Sequence, residues 1–327
     1  MLESLLVSYN PAESPSFSET EAIFQQRLTE AGTRVESTRS LDRQYATKAM
    51  LLTLRWVWTL VEVGPLSSVL RFMQLAAPIF RRACPGPLDG LVNLPDLFTT
   101  GSSDLRHYGH WDIIFGVLTG RPMFFRYAVN FTSEAPESLF LLAKAPDLRS
   151  VLGVPDRLSM TLARMNGLYE DFGSHVPSQI VNELEQEIEH IRLPSGPSTE
   201  PPLSIRRATI QQCWFQAALI YLYMGLRAGY STDAEVVKVQ TRFIRILESV
   251  KPRRNTDLFL VFPMFILGLA TTHRDERDMI RRRMLGVSEC SRPGRMGNDF
   301  IRMLANVWSK DRPVVWRDLR QACWEVA

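Results

Sequence analysis

Two clusters in this 327-residue chain carry side chains able to do chemistry. Asp104, His107, His110 and Asp112 crowd one short stretch. At helical spacing Asp104, His107 and His110 share a face, and imidazoles beside a carboxylate can ligate a metal or relay a proton. Glu187-Ile188-Glu189-His190 spells Glu-x-x-His, whose i, i+3 spacing puts two ligands on one helix face, as di-iron bundles require. Packing explains both clusters more simply. Asp104 in a first helical turn complements the dipole, and the histidines fit a helix contact. No second Glu-x-x-His completes a di-iron site. Glu183, Glu185, Glu187 and Glu189 read as the wet side of an amphipathic helix whose Val181, Leu184 and Ile188 face inward.

Other chemistry is hard to place. Phosphate sites need glycine-rich turns that let backbone amides approach, and neither Gly-x-Gly-x-x-Gly nor a Walker-type loop occurs. There is no Gly-x-Ser-x-Gly elbow, no His-Glu-x-x-His and no aspartate-rich magnesium motif. Cys84, Cys213, Cys290 and Cys323 lie too far apart in sequence for a small zinc module; Cys213 and Cys323, beside tryptophans in helical runs, read as reduced, buried thiols, which fits a reducing compartment. We assign no catalytic, cofactor-binding or metal residue and no cofactor.

The net charge of +3 does not by itself imply a polyanion partner. Residues 274–320 hold twelve Arg/Lys against seven Asp/Glu, the rest 26 against 28. Asp275, Glu276 and Asp278 interleave with Arg274, Arg277 and Arg281–Arg283, so this basic quarter reads as a solvated face with helical ion pairs. Lys251-Pro252-Arg253-Arg254 resembles a short basic import signal.

The elements that must position these residues are helices. Hydrophobic residues make up 45% of the chain, enough to exclude disorder over its bulk. Ser18 with Glu21 forms a capping box, and Gly32 is placed to end that helix. A long helix from about Leu41 to Val63 stops at Gly64-Pro65, and the next runs to about Arg82. Further helices are expected near 104–118, 156–171, 177–190, 205–226, 232–249, 257–271 (bent at Pro263), 274–285, 297–309 and 314–326. No strand pattern and no internal repeat is visible. The fold class predicted is all-α, a single large multi-helix domain of irregularly packed helix pairs. It spans 18–327, after an N-terminal segment 1–17 read as disordered, with an exposed linker at 193–202 (LPSGPSTEPP). The N-terminus lacks the basic region of a signal peptide. The apolar run Leu258–Ala270 is too short to cross a bilayer, so the expectation is a soluble, intracellular protein without membrane association.

His107–Tyr127 (HYGHWDIIFGVLTGRPMFFRY) is the most informative stretch: an apolar helix, a Gly120-Arg121-Pro122 break, then the aromatics Phe124, Phe125, Tyr127 and Phe131. Core packing accounts for them, and so does the wall of an apolar cavity. If there is a ligand cavity, its expected lining is Asp104, His107, His110, Phe124, Phe125, Trp214 and Tyr221. Trp308, Trp316 and Trp324, spaced near two helical turns, read as packing residues.

The order of several segments resembles the fungal-specific transcription factor domain, the helical region downstream of a zinc binuclear cluster. They are Val63-Gly64-Pro65-Leu66, Ala76-Ala77-Pro78 with Arg81-Arg82-Ala83, and Trp111-Asp112-Ile113-Ile114 with Thr119-Gly120-Arg121-Pro122. Glu170-Asp171-Phe172-Gly173, Ala217–Leu226, Phe262-Pro263-Met264-Phe265 with Gly268, and Asn306-Val307-Trp308 follow. The resemblance covers about Thr20 to Trp324. It implies a nuclear regulatory module of the zinc cluster family, not an enzyme, acting in transcription through a small-molecule effector or protein partners of the transcription machinery. A homodimer fits it too. Arg121 is expected to pair with a carboxylate or a helix C-terminus, with Pro122 restarting the chain. The six-cysteine cluster that reads DNA in such factors is absent from these residues, so specific DNA binding by this chain alone is not expected. The alternatives are an all-α metal-dependent enzyme and a cytosolic helical interaction scaffold.

Overall fold

The structure, a computed structural model, describes residues 15–141, 152–191, 201–252 and 254–326. The fold is all-α, as expected. The first helix, α1 (Pro15–Thr33), begins before the predicted Ser18 cap and ends one residue past Gly32. Glu21 does not close a capping box; it accepts from Ser68 Oγ at 3.0 Å and pairs with Arg71. The rest of the segment read as disordered, residues 1–14, lies outside the described residues.

Helices α2 (Arg39–Val63) and α3 (Leu66–Ala83) form the most extensive helix pair. Thr38 caps α2 through its side chain, and Gly64-Pro65 ends it as the sequence predicts. Arg82 of α3 forms a buried ion pair with Asp42 of α2 and donates to the Ala31 carbonyl at 2.9 Å, binding all three N-terminal helices together.

A short α4 (Leu94–Thr100) leads into α5 (Ser103–Thr119), which Ser102 caps and which is buried almost all round from Tyr108 onward. Contrary to expectation, strands exist: β1 (Val92–Asn93) and β2 (Tyr127–Ala128) pair in parallel, reinforced by Asn93 side-chain bonds to Asn130 N (2.8 Å) and O (2.9 Å). Two residues are too few to display alternation.

After α6 (Glu137–Leu141) come α7 (Asp156–Phe172), which packs on α5, and α8 (Ser178–Ile191). The linker expected at 193–202 falls mostly outside the described residues, but its last two positions are helical, because α9 (Pro201–Tyr221) starts at Pro201. Helix α9 is central, contacting α10 (Ala234–Glu248) and α11 (Arg254–Ala270). It does not continue as α-helix to Leu226: Leu222–Leu226 is a π-helical turn, closed by Arg227 N to Leu222 O at 3.2 Å. Gly225 suits this turn, since a Cβ there would stand 2.6 Å from the Tyr221 ring. Helix α11 runs through Pro263.

The chain closes with α12 (Arg274–Leu285), α13 (Ser288–Ser291), α14 (Met296–Trp308) and α15 (Arg317–Val326). The charges of α12 reach to neighbouring segments rather than pairing along the helix. Arg283 bonds Asp257 at 2.5 Å and the Leu247 carbonyl at 2.6 Å, Arg277 bonds the Thr271 carbonyl at 2.8 Å, and Glu276 accepts from Gln240 at 2.6 Å. Trp316 is buried, and Trp308 donates to the Gly268 carbonyl at 2.8 Å. Trp324 departs from the packing prediction: it is 69% exposed beneath the Arg320 guanidinium, on the outer side of α15. All four cysteines are free and buried.

Candidate functional site

Trp111 and Asp112, adjacent on α5, serve two different structures. The Asp112 carboxylate holds the strap that follows the helix. Gly120 ends α5 in the left-handed conformation (φ 62°), turning the chain back across α5. Asp112 Oδ1 accepts from Phe124 N at 2.7 Å, and Oδ2 from Phe125 N at 3.2 Å and the Tyr127 hydroxyl at 2.7 Å. On the other side, Glu170 of α7 accepts from Met123 N at 3.0 Å, while Arg126 reaches Glu170 (2.8 Å), Asp171 (2.5 Å) and the Gly167 carbonyl (2.8 Å). Burial raises the Asp112 carboxyl to about 7, against the pull of these three donors. Arg121, expected to meet a carboxylate or a helix C-terminus, has its guanidinium over the Phe124 ring, 5.8 Å from the centroid. No helix restarts at Pro122; the next regular element is β2 (Tyr127–Ala128).

Trp111 lines a cavity of about 290 Å³. Its walls are Trp58, Val61 and Glu62 of α2; Trp111 of α5; Leu152; Leu258, Phe259, Val261 and Phe262 of α11; Glu289 and Cys290 of α13; and Met296 and Gly297 of α14. Trp111 makes edge contacts with Trp58 (centroids 5.4 Å apart) and Phe262 (5.9 Å). Its indole N–H is buried without a hydrogen-bond partner among the described residues. Burial pushes the Cys290 thiol up to about 12, so it is an unreactive wall atom.

None of the residues expected to line a ligand cavity is among these walls. His110 stacks on Phe98, contacts Ser159 Oγ at 3.0 Å through Nδ1 and lies 3.3 Å from Asp156 through Nε2. His107 packs edge-on against Trp58, and burial lowers its pKa to about 4, leaving it neutral. Asp104 is half-buried in the first turn of α5. Phe125 joins Phe80, Tyr108 and Tyr127, and Phe124 packs on the core. Trp214 donates to the Leu152 carbonyl at 2.9 Å; Tyr221 donates to Asn166 at 3.0 Å and stacks on Trp316. The cavity therefore opens across Trp111, next to the predicted cluster, and its walls come from segments far apart in sequence.

Glu187 also has a structural partner set. Arg157 (2.6 Å), Thr161 (2.7 Å) and Arg164 (3.1 Å) surround it, and although burial raises its carboxyl, these donors bring it below the ordinary range. Among the described residues no group of three potential ligands is placed to hold a metal ion. No helix among them is long and apolar enough to cross a membrane.

The segments that carry the family resemblance meet one another. Trp111-Asp112, Gly120 and Glu170-Asp171 converge on the strap; Phe262 meets Trp111 at the cavity; Gly268 receives Trp308. Leu66, after Gly64-Pro65, donates its amide to Asp299 of α14 at 2.9 Å. A family model described as the fungal specific transcription factor domain matches residues 111–327, starting at Trp111 itself. No curated protein and no solved structure matches the chain. With well over half of its length matched, this chain belongs to the family of the fungal specific transcription factor domain.

Proposed function

We propose that this chain is the regulatory, non-DNA-contacting part of a nuclear transcription regulator, a helical body that takes up a signal from a small molecule or a protein partner and passes it to transcription. Family membership carries this reading. It is supported by the use of the interior: Asp112 holds the strap, His110 contacts Ser159, and Glu187 is paired with Arg157. The cavity beside Trp111 offers a signal somewhere to bind, with apolar walls and few polar groups. No zinc cluster stands in the sequence, so contact with specific DNA is assigned to another part of a regulator or to a partner.

The test is to tether the chain to a heterologous DNA-binding module above a reporter gene. Output should change at least severalfold relative to the module alone. Stoichiometric iron or zinc in purified protein, with turnover abolished on replacing His107, His110 or His190, would instead establish the enzyme alternative.

A further inference from the structure

We propose that the cavity between Trp58, Trp111, Phe259 and Phe262 binds a neutral, largely aromatic small molecule. At about 290 Å³ the cavity is near the lower end of small-ligand pockets, which run from roughly 300 to 1,000 Å³. Four aromatic rings and Val61, Leu152, Leu258, Val261 and Met296 make its walls apolar. Flat aromatic ligands suit such walls because they bury apolar area and meet ring edges and faces.

Charge supplies the second constraint. Glu62 and Glu289 belong to the lining, and both act on the buried guanidinium of Arg295, next to Met296, as Arg292 does too. Carboxylates and guanidinium groups offset one another there, so neither an anion nor a cation meets an unanswered charge. The remaining class is neutral and apolar.

Location gives the site a consequence. Trp58, Val61 and Glu62 lie before the matched family region, and the other lining residues lie inside it. A ligand there bridges α2 to α5, α11 and α14 and stabilises their arrangement by mass action. That consequence for transcription rests on the regulatory reading; binding itself does not.

The probe is prodan, a neutral naphthalene bearing one ketone, titrated into the purified 327-residue chain. Saturable, blue-shifted emission at one equivalent is expected. Leu258, a half-exposed wall residue, can be enlarged without entering the core, so Leu258→Trp should fold normally and abolish saturation. Naphthalenes carrying a carboxylate or a trimethylammonium in place of the ketone should bind at least tenfold more weakly than prodan. Absence of saturable binding, or binding unchanged by Leu258→Trp, overturns the site; equal binding of either charged naphthalene overturns the neutral class. Prodan binding combined with a silent tethered reporter would leave the site standing and defeat the regulatory reading, and the opposite pair of results would do the reverse.

Discussion

The Tyr127 hydroxyl donates to Asp112 Oδ2 at 2.7 Å, joining the far end of the strap to the middle of the helix it has just left. The same carboxylate accepts two consecutive strap amides, so one buried side chain holds residues 124–127 across α5. Removing the acceptor should therefore cost more than removing one donor. Tyr127→Phe is expected to destabilise by about 1–2 kcal/mol, and Asp112→Ala, which strands two amides and a hydroxyl, by about 3–5 kcal/mol. The double variant should be clearly less destabilised than the sum of the single losses, because the two residues share an interaction. Urea unfolding of the four proteins measures this.

A pH dependence follows from Asp112. Burial raises its folded pKa to about 7 from an ordinary value of 3.8. Below about pH 4 the carboxyl is protonated in both states. As pH climbs from about 4 to 7 the unfolded chain ionises while the folded one retains its proton, so this group's contribution to stability falls over that window and levels off above it. Asp112→Asn should flatten this part of the profile, even though it is less stable overall. Thermal midpoints at pH 4.5, 6 and 7.5 for both proteins check the sign; a wild-type contribution that rises across the window would be the opposite of the expected result.

Gly116 gives a packing prediction. A Cβ there would stand 2.6 Å from Asn166 Nδ2 and 3.1 Å from Met123 Cγ. The Asn166 amide donates to the Ile113 carbonyl at 2.9 Å and accepts from the Tyr221 hydroxyl at 3.0 Å. Gly116→Ala should thus disturb α5, α7 and α9 together and cost about 2–3 kcal/mol, read from the unfolding midpoint in urea.

Arg283 and Asp257 give an electrostatic one. Both are buried, 2.5 Å apart, with Arg283 also bonded to the Leu247 carbonyl. Arg283→Met alone leaves Asp257 charged and unpaired, and should cost about 3–5 kcal/mol. Pairing it with Asp257→Leu should recover much of that loss, since both desolvated charges are then gone. A double variant less stable than the single one would show that the pair contributes through geometry rather than charge balance.

Much of this fold was legible in the sequence, and the reasons are local. Pro65 cannot continue the preceding helix, and Gly120 tolerates the left-handed turn, so those boundaries could be read from residue type alone. The α12 span was legible to the residue, because His273 and Gly286 flank a run of helix formers. What periodicity cannot show is the partner across a contact. Ser18 and Glu21 have capping-box spacing, yet Arg71 and Ser68, nearly fifty positions away, claim Glu21. His107 and His110 share a helical face by count, but Trp58, Phe98 and Ser159 draw them into separate packing contacts. The candidate site shows the same limit: Trp111 lay within the stretch singled out, whereas Trp58, Phe259 and Cys290 reach the cavity only through tertiary packing. The signal that could have found it is the adjacency of Trp111 and Asp112, an apolar ring and a carboxylate forced onto different sides of one buried helix.

The most direct measurement compares reporter output from the tethered wild-type chain with that from its Leu258→Trp variant. The wild-type chain should move output away from that of the DNA-binding module alone, and blocking the cavity should shift it at least twofold while the variant keeps its helical content and folded midpoint. Output identical among the wild-type chain, the blocked variant and the bare module would contradict the regulatory reading.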